Sequence, residues 1–117
     1  MLIQRPSERW RHIVDGEEAE VAAGRVPEIE AVAKQFWPPP FIDAVDAALA
    51  RYERDVEALD VTDREAVRRA VERVRQALNE HHRLIERSER DELNAFLQRV
   101  LTLHGVDAHG LTFLEGR

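Results

Sequence analysis

Three consecutive prolines sit inside the aromatic run Phe36-Trp37-Pro38-Pro39-Pro40-Phe41. Proline lacks the backbone N–H and fixes φ, so such a run cannot lie within a helix or a paired strand. It also pushes the residue before it toward an extended conformation. The run therefore predicts a rigid hinge at 38–40, dividing an N-terminal arm (1–37) from a helical body (41–117). Trp37, held by a stiff segment, would lose little entropy on binding and is a candidate recognition residue. Burial of Phe36, Trp37 and Phe41 where arm meets body is the competing expectation.

A chain of 117 residues predicts one domain, large enough to hide a core without covalent staples. It has no cysteine, so disulfides and thiolate metal sites are excluded. The first residues turn charged at once, and no stretch is long and apolar enough to span a bilayer. The expectation is a cytoplasmic protein with no membrane contact. With 17 basic and 23 acidic side chains the net charge is −6. That field disfavours nucleic acid and suits a basic partner.

Residues 41–59 place Phe41, Val45, Ala48, Leu49, Tyr52, Val56 and Leu59 at intervals of three or four, which predicts an amphipathic helix. Pro40 or Phe41 would occupy its first turn, where a missing N–H costs nothing. Thr62 and Glu65 form a capping-box pattern for a second helix bearing Val67, Ala70, Val71, Val74, Ala77 and Leu78 and ending near His81-His82. Ser88 predicts the N-cap of a third, with Leu93, Phe96, Leu97, Val100, Leu101 and His104 on one side. Gly105 is placed to terminate it.

In the arm, Ser7 predicts the cap of a helix bearing Trp10, Ile13 and Val14, which Gly16 weakens and Asp15 with Glu18 could restart through Ala23. Gly24 breaks it, and Pro27 opens a short helix through Ile29, Val32, Ala33 and Phe36. A strand over 26–32 is the alternative there. The apolar tail 111–114 is expected to dock on the body. The expected fold class is all-α: three long amphipathic helices in an antiparallel bundle, with one or two short N-terminal helices packed on it.

Asp46, Glu53 and Glu57 share a flank of the first body helix, and Arg64, Arg68 and Arg75 share one on the second. If the short Asp60-Val61 link pairs these helices, the flanks could meet as exposed ion pairs. Splayed apart, Asp43, Asp46, Glu53 and Glu57 would instead form an acidic face for a basic protein. Among the five histidines, His82, His104 and His109, with Glu86, could supply N and O donors to a zinc or iron ion. No His-Glu-x-x-His spacing supports such a site, and the two groups fall at opposite poles of an antiparallel pair. Ser7, Thr62 and Ser88 are better explained as caps than as nucleophiles, and no nucleophile turn or phosphate loop occurs.

Three elements together, Phe36-Trp37-Pro38, Leu78-Asn79 and Ile85-Glu86-Arg87-Ser88-Glu89-Arg90-Asp91, resemble a set of small bacterial helical proteins without an assigned activity. The resemblance covers about residues 36–107, leaving the arm out, and the third proline and the absence of a terminal Trp depart from it. It implies that Ile85 plugs the core while Glu86, Glu89 and Arg90 organise a bend.

The function expected is that of a non-catalytic cytoplasmic protein-binding module, such as an immunity- or antitoxin-like inhibitor or an adaptor. It would need no cofactor and would meet its partner through Asp43, Asp46, Glu53, Glu57 and Trp37. The alternative is a small metal-dependent enzyme using His82, Glu86, His104 and His109. A homodimer pairing an exposed apolar face is a third expectation.

Overall fold

The computed structural model describes residues 3–115, and every regular element in them is helical. These are α1 (Pro6–Ala22), a 3-10 turn (Glu28–Glu30), α2 (Ala33–Phe36), α3 (Pro39–Ala58), α4 (Arg64–Asn79) and α5 (Arg87–Leu103). The prolines act as a helix start more than as a hinge. Pro38 is extended (φ −58°, ψ 142°), while Pro39 and Pro40 already belong to the first turn of α3. Two missing N–H groups cost nothing there, because first-turn donors have no partner within the helix.

The apolar stripes pack as their spacing requires. Val45, Leu49, Tyr52 and Val56 of α3, Val67, Val71, Val74 and Leu78 of α4, and Leu93, Leu97 and Leu101 of α5 share one buried core. The Tyr52 hydroxyl donates to the Leu97 carbonyl at 2.8 Å, tying α3 to α5. Burial pushes that phenol's pKa well above its ordinary value. α3 is the central helix and packs on α1, α4 and α5, whereas α4 and α5 make no comparably close pairing. The tail bridges those two. Arg64 of α4 donates to the Asp107 and His109 carbonyls, Asn94 of α5 exchanges two hydrogen bonds with the Leu114 backbone, and Val106 and Phe113 are buried.

Helix ends depart from expectation by a residue or two. Asp63, not Thr62, caps α4, its carboxylate accepting from the Glu65 and Ala66 N–H groups. Thr62 instead bonds Asp60 through both its N–H and its hydroxyl, a local turn that competes with the cap. Glu86, not Ser88, caps α5 in a reciprocal box with Glu89, and Ile85 is partly buried on the core. Gly105 ends α5 with φ +78°, and its two backbone bonds (Val106 N–H to Leu101, Gly105 N–H to Thr102) form a Schellman closure.

The largest correction concerns the arm. Gly16 does not interrupt α1, which at 17 residues is as long as α5. The bundle therefore has four long helices, and the arm supplies one of them. Ser7 is not its cap but a fully buried first-turn residue donating to Asp46 at 2.7 Å. Arg5 reaches Glu53 (2.6 Å) while Arg11 pairs with Asp43, so α1 runs antiparallel to α3. The expected single helix after Pro27 is divided into the 3-10 turn and α2, because Ala31 is extended between them.

Candidate interaction surface

Because residue 11 of α1 already lies beside residue 43 of α3, the rest of α1 runs past the point where α3 begins. Residues 15–22 overhang by about 12 Å of helix rise. Gly24, at φ +76°, then turns the chain back through the 3-10 turn to α2. From Asp15 to Val32 no residue is fully buried. The molecule is accordingly drawn out, with extents of 54 × 33 × 19 Å. This overhang forms a lobe whose residues 15–32 contribute no buried side chain to the core.

The lobe is braced by its own polar contacts. The Glu17 carboxylate accepts from the Ala33 N–H at 2.8 Å, Glu18 pairs with Lys34, and Glu20 pairs with Arg25. The Glu18 hydrogen bond and charge hold the Lys34 ammonium above its ordinary pKa, with a smaller contribution from Glu28. Between α1 and the returning chain lies a groove of about 450 Å³ floored by Val21, Ala22 and Ala31. Ile29 is 89% exposed and Val32 is 42% exposed, so two branched apolar side chains stand in water on this lobe. Six acids (Asp15, Glu17, Glu18, Glu20, Glu28, Glu30) face two bases (Arg25, Lys34) across residues 15–35, so most of the net negative charge sits here.

At its root the lobe is held by a column of stacked rings. Trp10, fully buried, lies between Trp37 (5.9 Å, 3°) and Phe41 (5.6 Å, 10°), and His81 meets the edge of Phe41. Arg9 covers the outer face of Trp37. Trp10 Nε1–H donates to Glu92 at 3.0 Å, and Arg9 grips the same carboxylate with two bonds. Burial pushes the Glu92 carboxyl up, but the hydrogen bonds from Arg9 and Trp10 outweigh it and leave the pKa below the ordinary range. Trp37 is thus a packed member of this column, with its indole N–H buried and no acceptor among the described residues. Phe36 remains exposed beside the start of α5.

The acidic residues singled out on α3 are engaged within the chain. Asp46 and Glu53 hold Arg5, Asp43 holds Arg11, and only Glu57 of that set is exposed without an ion pair to a described residue. The α3 and α4 flanks do not face one another as expected. Arg68 and Arg75 pair with Glu65 and Glu72 on their own helix, and the α3–α4 pair among the described residues is Asp55 with Arg73. His82 and Glu86 lie at one end of α5 and His104 and His109 at the other, about 25 Å apart along 17 residues. No group of three or more potential ligands that could hold a metal occurs among the described residues. His82 and His104 each place Nδ1 against a backbone carbonyl of the preceding turn.

Compared with known proteins, the chain matches no family model, no curated protein and no solved structure.

Proposed function

We propose that this chain acts by binding another protein, as an inhibitor or adaptor, and that the projecting lobe makes the contact. The observation that carries this reading is the exposure of Ile29 and Val32 on a segment that adds no buried residue to the core. A partner that covered these two side chains would remove apolar area from water, worth about 25 cal/mol per Å², and they ride on a short, self-braced turn. Little conformational entropy would remain to be lost when a partner closes over them. The α3 flank is a weaker candidate surface, because engaging Asp46 or Glu53 would first require releasing Arg5.

The test compares two variants in quantitative cross-linked pull-downs from native extract. Ile29→Ser with Val32→Ser should lose specific partners at least tenfold while the helical circular dichroism and melting temperature stay within a few degrees. Glu57→Lys, on the exposed α3 flank, should retain them. Loss with Glu57→Lys and retention with the lobe pair would move the contact to α3.

A further inference from the structure

The groove in the lobe has a chemistry more specific than an exposed apolar patch. Its apolar lining, Val21, Ala22 and Ala31, is aliphatic. Its polar lining is Glu17, Glu18, Glu28 and Gln35 with a single cation, Lys34, half exposed and paired with Glu18. The lysine ammonium is thus a tethered occupant of the very position that a partner's cation would take. Long cationic side chains bury their stems on apolar surface and keep the charge at a polar edge. Such a side chain fits the apolar and the acidic lining together.

We infer that the lobe groove receives a cationic amphipathic segment, with a lysine or arginine stem laid along Val21, Ala22 and Ala31 and its charge displacing Lys34 from Glu18. Ile29 and Val32 adjoin the lining residues Glu28 and Ala31 in the chain and are exposed, so apolar residues of the same segment would cover them. The inference rests on the lobe being the contact surface, and it adds the partner's chemistry. It also makes a demand that a purely structural Lys34 would not meet. If Lys34 only braces the lobe, removing it weakens everything nearby. If it competes with the incoming cation, removing it strengthens binding.

The experiment titrates the full chain with a synthetic 14-residue leucine/lysine amphipathic helix at low salt, followed by backbone amide shifts. Matched peptides with serine replacing leucine, and with glutamate replacing lysine, serve as controls. The expected shifts centre on Val21, Ala22, Ile29 and Ala31 and need both leucine and lysine in the peptide. Glu18→Gln with Glu28→Gln should weaken binding by about threefold to tenfold, as the loss of two weak, partly exposed charge pairs would. Lys34→Gln should tighten it by about twofold to threefold.

Shifts spread over the α3 face, equal binding of the serine peptide, or weaker binding by Lys34→Gln would each overturn the inference. Failure here with the native pull-down still lost in Ile29→Ser/Val32→Ser would remove the cationic partner and leave the lobe as the contact. Groove binding by the peptide, with native partners untouched by that pair, would overturn the lobe as the native contact and, with it, the partner inferred for the groove.

Discussion

At the scale of single residues, two tryptophans stacked on one another are expected to behave differently. Trp10 is fully buried with its N–H bonded to Glu92, while the Trp37 N–H is buried without an acceptor. Replacing Trp10 by Phe leaves a carboxylate short of a donor and opens space in the core, at a cost of about 2–3 kcal/mol. Replacing Trp37 by Phe discards an unpaired donor, so packing loss and polar relief offset one another to within about 1 kcal/mol. Denaturant midpoints of the two variants measure the difference. Equal losses would contradict the role assigned to Glu92.

Glu92 also sets a pH dependence. Its folded-state pKa lies below the ordinary carboxylate value of 4.5. A depressed pKa means that the folded state favours the charged form, so the stabilisation is complete above the unfolded value and fades as pH falls through the folded one. Glu92→Gln should therefore be less stable than the parent at pH 7, and the gap should narrow below about pH 4. Urea melts at pH 7, 5 and 3 read this directly, and a gap that stays constant across them would rule it out.

At the scale of elements, two glycines on helices call for opposite outcomes. Gly16 lies inside α1 with open space where a Cβ would sit, whereas Gly105 closes α5 at φ +78°. Gly16→Ala should stabilise by about 0.5–1 kcal/mol and Gly105→Ala should destabilise by about 1 kcal/mol or more. Thermal melts distinguish the signs.

The same pair shows what the sequence could convey. Gly105 followed an unbroken stripe and announced its stop, as did the stripes of α3, α4 and α5. Gly16 reads as a weakening of the helix because local propensity cannot weigh the packing of Trp10 and Val14. The caps differ for a similar reason: Thr62 and Asp63 are neighbours and Glu86 and Ser88 are two residues apart, so each pair offers side-chain oxygens for one helix start and only the surrounding turn chooses between them. The acidic flank of α3 was visible, but not that Arg5 and Arg11 would fold back onto it, because 41 and 32 residues separate the partners. The lobe carried a faint signal, since its many glutamates interrupt any apolar period. Nothing in that pattern revealed that α1 would overrun α3.

At the scale of the molecule, the architecture divides into a core that ends at Val14 on α1 and a lobe that begins at Asp15. Everything proposed for the lobe requires the first part of α1 to be as firmly folded as α3, with the step in protection falling where burial stops. Native-state hydrogen exchange measures that boundary. Amides of Trp10 and Val14 should exchange only through an opening close to the global unfolding free energy, like those of Leu49 and Tyr52, while amides of 26–32 exchange through far smaller openings. Free exchange at Trp10 and Val14 with α3 still protected would contradict the four-helix bundle and take the displayed lobe with it.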